Sequence, residues 1–441
     1  MELRRMELMP GVFLNTLQTD KFKSDCLSVS LLTALDRETV SKNALIPRVL
    51  ARGSVRHPDM DSINAACDAL YGARLIPCVR KKGEILAVGF YAGFLPDRFT
   101  PDGSRLLEPV AALLGELLLE PDLRDGLLRR DYVESETEKL LDDIRARVND
   151  KRAYAVFRLL ECMCSCEAYG CDDMGSEADA AAVDYVDLSR YYRDLLRRAP
   201  IEIFYCGAAD AERVGAALRD ALSMLPRGEI DYEIGTDIRM NALEAQPRFF
   251  HETMDVTQGK LCLGFRLGEC MEKPDFAAIR VFNAAYGGSV TSRLFLNVRE
   301  RLSLCYYASS ACDSQKGLML VSSGIESSRL EDAKAEILSQ LEQMKDTVTE
   351  EELDAARRAT ASDLRALTDS PGALENFYLS QALRGLDCGP EELADRCEAV
   401  TAARVQEIAR SVELDAVYFL DGEDAGSGPE DTEEEHADAE A

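Results

Sequence analysis

Histidine is scarce in this 441-residue chain, occurring three times, as His57, His251 and His436. A helix that grips a metal ion between two imidazoles needs them about four residues apart, where they share one face. No two of these histidines come that close, so the sequence can build no such helix. Long apolar runs are also missing. Nothing nears the roughly 18 uninterrupted apolar residues that a membrane span requires, and no membrane partner is expected. Positive charge is in deficit, with 51 Lys and Arg against 80 Asp and Glu and a formal net charge of −29. That balance argues against a nucleic-acid partner, because phosphate binding wants a concentrated basic surface. It suits basic peptides if the acidity lines a cavity. There is no Gly-rich phosphate loop with its lysine, and no nucleophile elbow. The opening, Met1-Glu2-Leu3-Arg4-Arg5, carries charge without a hydrophobic signal core behind it, so the expected location is cytoplasmic.

Cysteine, by contrast, occurs fourteen times. Without an export signal these read as reduced thiols, most of them small core hydrophobes, rather than a disulfide framework. Cys162-Met163-Cys164-Ser165-Cys166, with Cys171 beyond, invites a metal reading. A helix would put Cys162 and Cys166 on one face but turn Cys164 away, and loop-borne Cys-x-x-Cys pairs are lacking, so helix packing is the better account. Thiol catalysis would need a histidine base. His57 lies in the loop Val55-Arg56-His57-Pro58-Asp59 and His251 opens a strand region, and both read as structural. No cofactor is expected.

The length calls for at least two domains. Period-2 and helical patterns place strands over 11–17, 26–32, 74–79, 84–91 and 201–206. Helices are expected over 43–52, 60–71, 104–119, 123–148, 151–166, 186–198 and 210–225. From about residue 246 the order recurs, with strands over 260–266, 305–310, 317–324 and 414–420. Helices there are expected over 275–286, 292–302, 329–345, 350–367, 375–385 and 402–412. The same order twice, at an interval of roughly 220 residues, reads as an internal duplication. Strand runs before helix runs predict an α+β fold, each antiparallel-rich sheet packed on helices. The expected organisation is a first domain over 1–225, a polar linker over 226–247 and a second domain over 248–421. The tail over 422–441, acidic and without apolar residues, is expected to be disordered.

One segment carries more than a pattern. Gly287-Gly288 should stop a helix, Leu294, Val298 and Leu302 stripe the next one, and a strand should open at Leu304. Together with Arg299 and, seven residues later, Tyr306, this run resembles the C-terminal half of the pitrilysin/insulinase peptidases. The resemblance implies two homologous domains facing each other as a clamshell, with Gly287, Gly288, Arg299 and Tyr306 holding substrate backbone. It also implies a zinc helix, His-x-x-Glu-His, in the first domain, and that helix is degenerate here. Aligning Leu50-Ala51-Arg52-Gly53-Ser54 with its end puts Ala44 and Arg48 at the histidines and Pro47 at the general-base glutamate. Alanine has no donor atom, guanidinium repels a metal, and proline inside a helix should kink or delay it. Glu136 and Asp143 resemble the family's two downstream acidic positions, but without imidazoles they read as a solvated helix face.

The resemblance spans roughly residues 11–421 and comes nearest to small bacterial members encoded beside a zinc-bearing paralogue, some linked to modification of elongation factor P. It implies a non-catalytic homologue that binds a peptide or protein substrate and completes the chamber of that paralogous subunit. A stand-alone peptide-binding scaffold is the alternative, and an active metallopeptidase the third and weakest reading.

Overall fold

The computed structural model describes residues 2–422. The acidic tail expected to be disordered lies, beyond Gly422, outside the described residues. The chain first lays down β1 (Leu3–Met9), β2 (Val12–Gln18), β3 (Asp25–Ala34), α1 (Val40–Leu50), α2 (Met60–Ala69), β4 (Arg74–Lys82), β5 (Ile85–Phe94) and α3 (Leu107–Leu119). A small hairpin, β6 (Leu123–Arg124) and β7 (Leu127–Leu128), leads into α4 (Arg130–Ala146), α5 (Lys151–Met163), α6 (Glu177–Ala181), α7 (Tyr185–Arg198), β8 (Ile201–Gly207) and α8 (Ala211–Ala221). The second part holds β9 (Arg248–Met254), β10 (Gly259–Arg266), α9 (Phe276–Asn283), β11 (Tyr307–Asp313) and β12 (Leu318–Ile325). It ends with α10 (Leu330–Asp346), α11 (Glu350–Ala366), α12 (Pro371–Leu383), α13 (Pro390–Glu398), α14 (Ala402–Ser411) and β13 (Glu413–Gly422).

Two sheets result, ordered β1-β2-β8-β3-β5-β4 and β11-β12-β10-β13-β9. Read from the opposite end, the second sheet repeats the first without β1. Each has one parallel pair, β2 with β8 and β9 with β13, among antiparallel neighbours. The central strands are covered on both faces and therefore alternate between two cores rather than between core and water. In β8, Ile201, Ile203 and Tyr205 face the core shared with α1, α3 and α7, while Phe204 and Cys206 face the core that holds α12.

The two parts exchange helices. Helix α12 packs on β3 and β8 of the first sheet, stacking Tyr378 on Phe204 with ring centroids 5.8 Å apart. Helix α5 packs on β10 and β13 of the second sheet through Ala155, Leu159 and Met163, spaced four residues apart along one face. Burying Leu159 there contributes about 2 kcal/mol. Gly264 in β10 permits this approach, since a Cβ on it would lie 2.4 Å from Met163 Sδ.

Several sequence expectations need correction. The helix expected over 123–148 begins only at Arg130, because Asp125 and Gly126 adopt left-handed conformations (φ 52° and 76°) and turn the chain into the β6–β7 hairpin. Pro47 does not delay or end α1, which starts at Val40 and runs on past it, Ala51 N–H donating to the Pro47 carbonyl at 3.1 Å. The segment expected as an amphipathic α-helix over 292–302 is instead a π-helix, Leu294–Arg301. Its wider turn keeps Leu294 and Val298 buried but leaves Leu302 39% exposed, and the following strand starts at Tyr307, not Leu304. Strand β1 and helix α13 were not anticipated.

Candidate functional site

Helices α1 and α4 wall a cavity of about 630 Å³ closed beneath by β4 and β5. Along α1, Ala44, Pro47, Arg48 and Ala51 line it. On α4 the inward face is set by Tyr132, Val133, Glu136 and Leu140, and Glu136, Lys139 and Asp143 reach the cavity. Glu136 is therefore not on a solvated face, being 6% exposed. Arg48 Nη1 donates to Asp143 Oδ2 at 2.6 Å, Arg52 Nη1 to Glu136 Oε1 at 3.1 Å, and Lys139 Nζ to the same oxygen at 2.7 Å.

A zinc ion does not fit these residues. Ala44 offers no donor, Arg48 points a fixed positive charge at one of the two carboxylates, and Arg52 and Lys139 already satisfy the other. Among the described residues no group of three or more His, Cys, Asp and Glu is placed to hold a metal ion. His57 clasps the loop after α1, its Nδ1 3.0 Å from Glu116 Oε1. Burial of Glu116 pushes its carboxyl up, but hydrogen bonds from Ser54 and His57 and the Arg56 charge outweigh that and hold it below the usual range. The cysteine run does not lie along one helix face, because α5 ends at Met163 and Cys164 caps it.

In the second half Gly287 and Gly288 close a π-turn, Ala284–Gly288. They do more than stop a helix. A Cβ on Gly287 would meet Ser310 N at 2.8 Å, so this glycine lets the turn lie against β11, while one on Gly288 would meet Asn283 Nδ2 at the end of α9 at 2.4 Å. Arg299 sits outward, its guanidinium 4.7 Å from the Phe295 ring centre and 3.6 Å from Glu300. Tyr306 precedes β11; its N–H donates to the Gly324 carbonyl at 2.8 Å while its side chain stands 60% exposed. It is Tyr307 that packs in the sheet.

A second cavity, about 660 Å³, opens between α5 and the edge strand β11, lined among others by Lys81, Arg152, Phe157, Ser309 and Ser322. Arg152 lies 4.1 Å over the Tyr307 ring and donates to Ser309 Oγ at 3.0 Å. Asp173 lines both cavities, its carboxyl pushed up by burial and by neighbouring Asp172. Sequence reasoning missed Arg152, Lys81 and Asp173, since nothing in the linear order links α5 to β11.

Behind this cavity a buried ion cluster ties the halves. Arg266, with a fully buried side chain, donates to Glu167 at 2.6 and 3.0 Å and to Asp415 at 2.8 Å. Lys316 bridges Glu84 at 2.7 Å and Glu167 at 2.8 Å, and Arg248 reaches Asp415 at 2.8 Å. Asp237, from the segment expected as a linker, donates its N–H to Glu84 at 2.9 Å. Burial alone would raise the Glu167 carboxyl, but the hydrogen bonds from Arg266 and Lys316 hold it below its ordinary value.

Paired sheets of like order, exchanged helices and the α1–α4 cavity define the class: a two-domain α+β clamshell of the M16 peptidase type. The chain is a homologue of the M16 peptidases, the pitrilysin and insulinase group, that lacks their zinc motif. Residues 182–360 match the family model described as the Peptidase M16 inactive domain. The chain is 29% identical over 425 residues to the "Probable inactive metalloprotease YmfF" of Bacillus subtilis (strain 168), covering 95% of this chain and 97% of that protein. It is similar to a conserved protein from Enterococcus faecalis V583, with 28% identity, TM-score 0.86, and 96% and 99% of the two chains covered. A peptidase M16 inactive domain from Pseudomonas fluorescens shares the fold at TM-score 0.79 and 16% identity, over 97% of this chain and 100% of that one.

Proposed function

We propose that this chain is a non-catalytic M16 homologue that holds a peptide and completes the chamber of a zinc-bearing paralogous subunit, in the cytoplasm. The observation that carries this reading is a contrast within one molecule. The first half presents Ala44, Pro47 and Arg48 where hydrolysis needs imidazoles and a general base, while the second half keeps Arg299 and Tyr306 exposed beside a sheet edge. The edge strands β4 and β11 offer backbone groups with which an extended peptide can pair. Arg299 and Tyr306 would then donate to its carbonyls, supplying binding without cleavage. The two domains in this reading run over 1–225 and 248–421, joined by 226–247.

The test is reconstitution with a zinc-bearing M16 relative from the same genome. Co-purification, and peptidase activity of the pair that falls at least tenfold with Arg299→Ala, is the expected result. Full activity of the relative without this chain would sink the proposal. A second reading, a stand-alone peptide-binding scaffold, is favoured by the ion cluster that ties both halves around the 660 Å³ cavity within one chain. Micromolar peptide binding by the isolated chain, with no relative that co-purifies, would select it.

A further inference from the structure

The family's fold brings two acidic positions of α4 up to α1, and in this chain those carboxylates are already bonded to side-chain cations. We propose that Arg48 takes the electrostatic place of the family's metal dication, fixing Asp143 against α1 and closing the cavity to divalent ions. The inference goes beyond the partner reading and does not depend on it.

Three observations support it. Arg48 stands one helical turn beyond Ala44, so both face the same cavity, and its Nη1 reaches the carboxylate that a metal would need. An ion approaching Asp143 must first displace that hydrogen bond and then remain beside a guanidinium that cannot lose its charge. Nor does the rim attract a cation overall. Arg48, Arg52 and Lys139 balance Glu136, Asp143 and Asp173, leaving no surplus of negative charge among the six. The alternative is an ordinary surface ion pair with no bearing on metals, and the side-chain exposures of 28% and 53% for Arg48 and Asp143 make that a real competitor.

The experiment restores the motif with and without Arg48, and the change Arg48→Gln separates loss of the guanidinium from gain of an imidazole ligand. The double variant Ala44→His/Pro47→Glu keeps the guanidinium, and the triple variant Ala44→His/Pro47→Glu/Arg48→His removes it. Zinc per chain is counted by elemental analysis after dialysis, and affinity is read by competition with a chromophoric chelator. The expected result is about one zinc per chain for the triple variant. The double variant and the natural sequence should bind at least about 100-fold more weakly. Comparable zinc affinity in the double variant would overturn the proposal, as would one tightly held zinc in the natural chain. So would a triple variant that shows native circular dichroism and takes up no zinc. The single change Arg48→Gln, which leaves α1 otherwise intact, supplies a further readout. It should raise zinc association at least tenfold in calorimetry, and no gain over the natural chain would count against the role assigned to Arg48.

Discussion

Two of the places where opposite charges meet in this molecule, the cavity rim and the contact between the halves, differ in setting. At the rim of the α1–α4 cavity, Arg48 and Asp143 form a single contact with both side chains partly in water. Between the halves, Arg266 and Lys316 have no exposed side-chain surface and share Glu167, with Glu84 and Asp415 completing the ring. The same chemistry therefore carries different stakes. A partly solvated pair can lose one member and let water take its place, whereas a buried one leaves a stranded charge. The Arg48 pair at the rim can lose a member to water, while the interface cluster must stay whole for the exchanged helices α5 and α12 to keep their seats.

The largest effect is expected at that interface. Arg266→Met leaves buried Asp415 with Arg248 alone and buried Glu167 with Lys316 alone, and should cost about 3–5 kcal/mol in urea unfolding. Adding Asp415→Leu removes one carboxylate that lost a partner but leaves Arg248 without its own, so it should recover only a small part of the loss. A cost below about 1 kcal/mol for the single change would show that water reaches the cluster.

Acid should act in the same direction. Glu167 is held below its ordinary range, and Glu108, bonded to Arg213, is lowered to about 2. A carboxylate depressed in the fold contributes stability that is fully present above its unfolded value, near 4.5, and is lost as pH falls towards the folded one. The urea midpoint should therefore drop between about pH 4.5 and 2. The slope there should be shallower in Glu167→Gln than in the natural chain; identical slopes would remove Glu167 from the account.

A smaller loss, about 1–3 kcal/mol, is expected from Arg52→Met at the cavity, since the nearly buried Glu136 keeps Lys139 as partner. Thermal denaturation of Arg52→Met beside Arg48→Met checks the ordering within the rim, with the more exposed Arg48 pair the cheaper to lose.

How much of this could be read from the linear order depends on the range of the interaction. Strand positions such as Ile201, Ile203 and Tyr205 announce themselves through alternation, and the α+β layering follows from strand runs preceding helices. The missing zinc ligands were legible because the scarcity and spacing of histidine can be counted. The exchanged helices were not, because Leu159 meeting β10 and Tyr378 meeting β8 are long-range events with no local signature. The π-turns escaped for a related reason. Leu294, Val298 and Leu302 fit an α-helical stripe equally well, and in the separate turn Ala284–Gly288 it is Gly287 that lies against Ser310, a contact set by β11. Glu136 looked like one acid of many until its neighbours Arg52 and Lys139 closed around it.

The smallest effect on stability, and the sharpest on function, should come from Arg299 and Tyr306. Both lie outside the cores: Arg299 contacts Phe295 and Glu300, and the Tyr306 ring is exposed. Replacing either with alanine removes little buried surface, so unfolding free energy should change by less than about 0.5 kcal/mol. Peptide affinity should nonetheless fall about tenfold per change, the loss of one hydrogen bond to a bound backbone, or about 1.4 kcal/mol. Fluorescence anisotropy with a labelled basic peptide measures the second quantity and chemical denaturation the first. If both changes left affinity intact while stability held, the exposed pair would be surface decoration, and the contrast with the buried cluster would concern stability alone.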